Sequence, residues 1–235
     1  MGDALRLVAH LASPLAGDPP QLDALLVYVA SRILGKGADV QPGYKVDRKF
    51  PCPPVGHIPI GVRREMVGGW PVARCSAPIM PEPRSETVQH LTKRLGVEHA
   101  QLIDPAERRV VTTASCYTKS YRLPVRVRRI DRVVWLCVGG RADILKYLRY
   151  VPAIGKDTNV GYGRVDRWEC ERLGEVPHRW WPWWCESEVG PVLMRALPLG
   201  WDRLPQNLLG AKRDYGACSD PYWHPDRYCD IITPC

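Results

Sequence analysis

The fold class of this chain follows from a glycine-rich stretch that reads IGKDTNVGYGRV over residues 154–165. Its glycines let main-chain N–H groups approach a phosphate closely, while Lys156 and Arg164 supply charge and Tyr162 can stack on a base. The stretch separates a predicted helix from a predicted strand, the reverse of the order in dinucleotide-binding and P-loop motifs. It therefore predicts either a phosphate-binding loop or a tight helix-to-strand turn. The candidate RNA-binding residues here are Gly155, Lys156, Asn159, Gly161, Tyr162, Gly163 and Arg164.

Periodic patterns on either side of this stretch predict the order of the other elements. Apolar residues alternate as in a strand with one buried face, or recur every three to four residues as on one stripe of a helix. The predicted elements are a strand at Leu5–Leu11, a helix at Gln21–Leu34, a hairpin within His57–Cys75 that turns at Gly68-Gly69, strands between Arg108 and Val138, a helix at Ala142–Val151 and a strand at Arg164–Arg172. This order fits an α+β fold of the ferredoxin-like class, although other α+β folds share it.

The rest of the chain predicts one domain with insertions and a tail. Residues 1–174 form the predicted ferredoxin-like domain, with an insertion at about 36–106 that includes a short helix near Thr87–Leu95. Residues 175–235 form a predicted irregular extension, rich in Trp and Cys. Its run Trp180-Trp181-Pro182-Trp183-Trp184 cannot point every ring inward from one element. It predicts exposed rings that pack under a neighbouring subunit, or a buried plug over the sheet.

The composition favours a cytoplasmic protein with an anionic partner. The chain has 235 residues and a formal net charge of +8, which favours nucleic acid or an anionic membrane over other partners. No apolar run reaches the roughly 18 residues that a membrane span needs, and the first residues do not read as a secretory signal. Nine cysteines, an odd number, indicate a reducing compartment rather than a disulfide framework.

A basic segment between residues 119 and 132 is the second candidate for nucleic-acid binding. Arg126 and Arg128 would share one face of a strand, because side chains alternate with a period of two. Interleaved tyrosines and cations are typical of single-stranded RNA binding, whereas the alternative is a solvated edge strand that its charge protects from aggregation. The candidate RNA-binding residues in this segment are Lys119, Tyr121, Arg122, Arg126 and Arg128.

Three stretches together resemble a known family. They are the glycine-rich loop at Ile154–Trp168, the first helix at Leu22–Tyr28, and Ile58–Gly61 leading to Trp70 and Ala73–Ser76. The chain is similar to the RAMP superfamily of CRISPR proteins, and within it to the subunit that caps the 5′ handle of the guide RNA in class 1 complexes, in the type IV version. The resemblance covers roughly Leu5 to Trp168 and leaves out the tail after Gly174.

The resemblance implies a ferredoxin-like, RRM-like core and a β-hairpin thumb, placed by position at about residues 112–128. It implies a non-catalytic subunit that binds the 5′ handle of the crRNA beside the backbone and large subunits of a ribonucleoprotein complex. A membrane is not among the implied partners. Such a complex also engages target DNA, for which Arg63 and Arg64 are candidate contacts.

Two alternatives remain open from the residues themselves. Some members of the superfamily cut RNA, and His10 on the first predicted strand could serve as a general acid or base, but the sequence shows no partner for it. A zinc-stabilised protein-interaction module is the other alternative. Cys₃His is a legitimate zinc set, although the spacings here are wider than in a zinc knuckle. The candidate ligands for such a structural zinc are Cys218, His224, Cys229 and Cys235.

Overall fold

The computed structural model describes residues 2–33, 58–93, 121–205, 207–219, 222 and 228–234. Within these ranges the chain forms a mixed α+β structure that is mostly β-sheet. The two helices are α1 (Leu22–Ile33) and α2 (Arg141–Leu148). The strands are β1 (Asp3–Leu11), β2 (Leu15–Ala16), β3 (Arg64–Val67), β4 (Trp70–Ala73), β5 (Ser85–Lys93), β6 (Tyr121–Arg129), β7 (Arg132–Gly139), β8 (Val165–Gly174), β9 (Trp184–Ser187), β10 (Gly190–Leu193), β11 (Leu197–Pro198), β12 (Ala211–Ala217) and β13 (Tyr228–Pro234). No helix in the described ranges is long and apolar enough to cross a membrane.

A three-stranded antiparallel sheet in the order β7–β1–β8 carries the first hydrophobic core. Leu7 on β1 lies opposite Trp135 on β7 and Cys170 on β8, and all three side chains are buried. Because successive strand residues point to opposite faces, Leu5 faces the same core, whereas Arg6 points to the other face. The alternation that predicts this strand is therefore the alternation between the helix-covered face of the sheet and the opposite face.

Both helices cover one face of this sheet through an apolar stripe. Leu22, Leu26 and Val29 of α1 are buried, as are Ile144 and Leu148 of α2. Spacings of three to four residues place them on one side of each helix, and each buried leucine contributes about 1.5–3 kcal/mol. The two helices predicted at Gln21–Leu34 and Ala142–Val151 are confirmed as α1 and α2.

The outer edge of β7 is lined by a less regular segment. Single bridges join Val62 to Gly139, Cys75 to Cys137 and Ile79 to Val134. Between the first two bridges the chain leaves the edge as the β3–β4 hairpin. Its turn is at Gly68-Gly69, both at positive φ, as the sequence predicts.

A two-stranded arm, formed by β5 and β6, corrects the interpretation of the insertion. Ser85 pairs with Arg129 and Lys93 with Tyr121 in one continuous antiparallel ladder, and β2 adds to β6 at the base of this arm. The predicted helix near Thr87–Leu95 is wrong up to residue 93, where β5 ends. β6, which includes residues 121–128 of the predicted thumb, pairs with β5 from the predicted insertion. Residues 112–120 lie outside the described residues, so the thumb stays a prediction.

The described part of the C-terminal extension is not irregular, which corrects that prediction. β9 and β10 form a hairpin, and β11–β13–β12 form a three-stranded sheet. Their core also takes in the β3–β4 hairpin, since Val67 and Val72 cluster with Trp183 and Leu193. This second core therefore joins residues from both sides of residue 174, where the sequence predicts a domain boundary. The boundary itself stays a prediction.

The tryptophan run is largely a buried plug. Trp181, Trp183 and Trp184 are at most 5% exposed, because Trp181 packs against the face of the β1 sheet opposite the helices while the other two enter the second core. Trp180 is half-buried and Arg179 lies over its ring at 4.7 Å. The run can bury three tryptophan rings because they divide between two hydrophobic clusters.

A buried ion pair ties α1 to the C-terminal segment. Arg195, 1% exposed, donates from Nη2 to Oδ2 of Asp23 at 2.7 Å, and Tyr222 donates to the same oxygen at 2.8 Å. Arg195 Nη1 also lies 2.7 Å from the Cys75 Sγ. Burial alone would raise the pKa of Asp23, but the charge of Arg195 and the two hydrogen bonds hold that pKa below its ordinary value.

Candidate nucleic-acid interface

Two glycines of the 154–165 loop are required by close main-chain packing. A Cβ at Gly163 would lie 1.8 Å from the Ile154 carbonyl oxygen, and a Cβ at Gly155 would lie 2.7 Å from that of Ala16. Both glycines have positive φ, +61° and +89°, where other residues are strained. This part of the loop is therefore the tight helix-to-strand turn that the sequence allows.

Gly161 has a different reason for being glycine. Its φ is +100°, but a Cβ there would meet nothing within 4 Å. Its carbonyl accepts a hydrogen bond from Ser13 Oγ at 2.7 Å, and the same hydroxyl accepts from the Arg164 N–H at 2.9 Å. The outer bend of the loop is thus open to solvent while Ser13 fixes its base.

The polar side chains of the loop are exposed beside this open bend. Lys156, Asn159 and Arg164 are all exposed, and no ion pair joins Lys156 or Arg164 to a carboxylate in the described ranges. The Lys156 N–H donates to the Ala16 carbonyl at 2.8 Å, and its side chain crosses Gly17, where a Cβ would lie 2.8 Å from Cδ. The loop therefore presents two cations on an ordered backbone.

Tyr162 connects the loop to the arm. Its hydroxyl donates to the Gln89 side-chain oxygen on β5, and its ring packs with Ala16, Val125 and Val127. Tyr162 is half-buried, so only part of its ring remains for stacking. The loop, β2 and the base of the arm consequently form one surface.

Two arginines of the arm, Arg126 and Arg128, are engaged with carboxylates. Arg126 and Arg128 share one face of β6, as the sequence predicts, and both contact Glu86 on β5, at 3.1 and 3.5 Å. Arg128 also contacts Asp18 at 2.9 Å and its side chain is 13% exposed, so it ties the arm to the core. Arg122 is exposed near the far end of β6.

Two further residues of this segment were predicted to bind RNA. Lys119 and the Tyr121 side chain lie outside the described residues, although the Tyr121 backbone begins β6.

His10 has the carboxylate partner that the sequence does not reveal. Its Nε2 lies 2.8 Å from Glu169 Oε2, and its Nδ1 lies 3.5 Å from Arg167 Nη2. Because a guanidinium can only donate, Nδ1 accepts from Arg167 and the Nε2–H donates to Glu169. The hydrogen bond from His10 lowers the pKa of Glu169. Both ring nitrogens therefore have contacts within the protein.

The predicted zinc ligands are only partly placed. The Cys218 and Cys229 Sγ atoms are 3.7 Å apart, about the separation of two thiolates on one tetrahedral zinc with bonds of about 2.3 Å. His224 and Cys235 lie outside the described residues. Within the described ranges no three His, Cys, Asp or Glu residues come together as a metal site. Burial and the neighbouring Cys229 raise the pKa of Cys218 to about 12.

Arg63 and Arg64 lie far from the loop. They follow the Val62 bridge to Gly139, at the end of the sheet where β1 begins. The loop packs at the other end, where the Ala12 N–H donates to the Arg164 carbonyl at 2.8 Å. The predicted nucleic-acid contacts thus fall into two separate regions.

A family model, described as CRISPR type IV associated protein Csf3, matches residues 81–234. The match includes the arm, the glycine-rich loop and the C-terminal strands, and it covers more than half of the chain. This chain belongs to the Csf3 family. It is therefore a type IV CRISPR-associated protein, which confirms the resemblance drawn from the sequence. The predicted extent is corrected, since the tail after Gly174 lies inside the family match. No curated protein matches the chain.

Sequence reasoning missed the residues that hold the Csf3-family loop in place. Ser13, Ala16 and Gln89 contact it from segments 73 to 151 residues away in the chain. Their identities carry no local signal, because a serine or glutamine in a loop or strand is ordinary. Only the glycines and cations of the loop itself are recognisable from sequence.

Proposed function

We propose that this chain is the non-catalytic crRNA-binding subunit of a type IV CRISPR ribonucleoprotein complex. In this role it caps the 5′ handle of the crRNA, lies beside the backbone and large subunits, and helps the complex to engage target DNA.

The observation that carries this proposal is the glycine-rich loop. Gly161 leaves an open bend, and Lys156 and Arg164 are exposed beside it without carboxylate partners in the described ranges. A phosphate can therefore approach the backbone while the two cations neutralise it. Membership of the Csf3 family supports a role for this loop in a CRISPR complex.

The sheet supports a ferredoxin-like core for this subunit. The order β8–β1–β7, continued by the bridged segment at residues 62–79, places four chain segments side by side. Both helices cover one face of it. This is the arrangement that two split βαβ units produce.

The contacts of His10 support a binding rather than a cleaving role. A general base needs a free nitrogen facing the RNA hydroxyl. Here Glu169 and Arg167 take both ring nitrogens. We therefore favour the non-catalytic function over an endoribonuclease.

Purification with the native complex tests the proposal. The tagged full chain is expressed with its neighbouring genes, and the RNA that copurifies is sequenced. We expect small RNAs of uniform size that share one 5′ handle. Random fragments that wash away at moderate salt would contradict the proposal.

A double substitution tests the loop itself. Lys156→Ala with Arg164→Ala should weaken binding of handle RNA by about tenfold or more and reduce the slope of log affinity against log salt by about one to two. The matched control is Arg203→Ala with Lys212→Ala, which removes the same charge from two exposed positions of the C-terminal segment. Equal losses in both proteins would mean that only net charge matters.

A further inference from the structure

A cleft of about 400 Å³ opens at the end of the sheet where β1 begins. Its lining residues are Gly2, Pro59, Ile60, Gly61, Val62, Arg63, Arg64, Gly139 and Gly140. Four of these nine are glycines, so much of the floor is main chain without side-chain cover. The loop at residues 154–165 contributes nothing to it.

Close packing explains why the floor is bare. A Cβ at Gly139 would lie 2.3 Å from the Gly61 carbonyl oxygen, and that same oxygen accepts from the Gly140 N–H at 2.9 Å. Gly61 itself has φ +76°. The backbone segments are thus held too close together for side chains at Gly61 and Gly139.

Two arginines form the wall of this cleft, and neighbouring contacts position them. Arg64 donates from Nη1 to the Ile58 carbonyl at 3.0 Å. Arg63 contacts Glu65 through Nε at 3.3 Å and is 51% exposed, which leaves its outer nitrogens facing solvent. Both guanidinium groups are therefore oriented by the protein while part of Arg63 remains accessible.

Glu65, the carboxylate that Arg63 contacts, is shared between two arginines. Arg74 Nη1 lies 3.2 Å from the same Glu65 oxygen. One carboxylate therefore serves two guanidinium groups, and a second anion beside Arg63 would be favourable.

The cleft and the glycine-rich loop lie at opposite ends of β1. The strand has nine residues, and at about 3.3 Å per residue its ends are about 26 Å apart. One phosphate group cannot reach both sites.

We infer that the cleft at Arg63 and Arg64 is a second phosphodiester-binding site, which holds the backbone of a nucleic acid independently of the glycine-rich loop. Planar guanidinium groups bind phosphate oxygens in pairs, and a bare glycine floor lets the backbone approach. The inference rests on the proposed function only for the source of the phosphates, which is either the guide RNA or the target DNA.

The test is nucleic-acid binding by the full chain, measured by fluorescence anisotropy over a range of salt. The probes are a labelled handle RNA, a single-stranded DNA and a duplex DNA of equal length. Arg63→Gln with Arg64→Gln should weaken the binding of at least one probe by about tenfold, the size of one lost charge-assisted hydrogen bond. It should also lower the slope of log affinity against log salt for that probe by about two. The matched control is Arg203→Gln with Arg213→Gln, two exposed arginines far along the chain.

The probes identify the source of the phosphates. A loss confined to DNA assigns the cleft to the target, and a loss confined to RNA assigns it to the guide. A loss shared equally with the control pair, or no loss on any probe, would overturn the inference. Thermal melting of each variant, and the charge-conserving pair Arg63→Lys with Arg64→Lys, separate lost binding from lost folding.

The loop variants keep this test distinct from the proposed function. If Lys156→Ala with Arg164→Ala leaves RNA binding intact while the cleft variant weakens it, the loop assignment fails and the cleft stands. If the loop variant loses RNA and the cleft variant changes nothing, the reverse holds.

Discussion

Arg195 and Arg164 show how differently two regions of this molecule use a guanidinium. Arg195 is 1% exposed and sits against Asp23, Tyr222 and Cys75. Arg164 is exposed; its backbone bonds to Ser13 and Ala12, and within the described ranges no carboxylate contacts its side chain. The buried guanidinium of Arg195 can stabilise only the fold. If it left Asp23 to bind a ligand, a buried charge would remain with neither a partner nor water. The exposed charge costs the fold little and is free to bind, so the two regions should respond oppositely to substitution.

Removing one partner of the buried pair should have the largest effect. Asp23→Ala leaves Arg195 charged and buried, and we expect a loss of about 3–5 kcal/mol in the free energy of unfolding. Denaturant unfolding followed by tryptophan fluorescence measures it. RNA affinity of the protein that remains folded should be unchanged.

The double change Asp23→Leu with Arg195→Met is the control for this prediction. It replaces both charges by apolar groups of similar size, so it should cost far less than Asp23→Ala. A double variant that is as unstable as the single one would mean that shape, not charge, makes this contact important.

Glycine substitutions in the loop should have the next largest effect and should separate packing from openness. Gly163→Ala forces a Cβ to within 1.8 Å of the Ile154 carbonyl oxygen at a positive φ, so we expect a loss of at least about 2 kcal/mol. Gly161→Ala meets no atom within 4 Å and should cost only about 1 kcal/mol from its φ. Equal losses for the two variants would contradict this distinction.

The pH dependence of stability should follow the buried pair rather than the loop. The pKa of Asp23 is lowered in the folded protein, so the unfolded state binds its proton first as pH falls. The stability from this carboxylate is present above the unfolded pKa of about 4 and is lost as pH falls towards the folded pKa. Asp23→Asn should flatten the acid limb of a stability–pH curve, whereas Lys156→Ala should leave its shape unchanged.

Periodic elements of the fold were predictable, and elements with an ambiguous period were not. The alternation in β1 and the stripe of α1 each fit one structure only. In β5, Thr87 and Leu91 are four residues apart, a spacing that places two side chains on one face of a helix and also on one face of a strand. Pairing with β6, which decides between them, is not visible in either segment alone.

The site was predictable to the extent that it is local. The glycines and cations of the loop stand within one stretch, and its conformation required glycine at Gly155 and Gly163. Of the cleft, only Arg63 and Arg64 were predicted from the sequence. Gly139 joins them through a bridge between segments 77 residues apart. Contacts made by tertiary pairing leave no mark on a single sequence.

The arm lies between the two extremes, and it gives the smallest and most informative prediction. Glu86 engages both Arg126 and Arg128, so it neutralises charge on a surface that continues from the loop. Glu86→Gln should change the free energy of unfolding by no more than about 1 kcal/mol, because Glu86 is exposed and Arg128 keeps its contact with Asp18. It should raise RNA affinity a few-fold by freeing the Arg126 guanidinium.

Glu82→Gln is the matched control for the arm, since it removes the same charge from an exposed position outside β5. Anisotropy titrations with handle RNA at fixed salt compare the two variants. If both raise affinity equally, the effect is long-range charge, which added salt should remove. If neither variant raises affinity, RNA does not pass along the arm. The RNA-binding surface then ends at the Tyr162–Gln89 contact, and the arginines of β6 act in folding rather than in RNA binding.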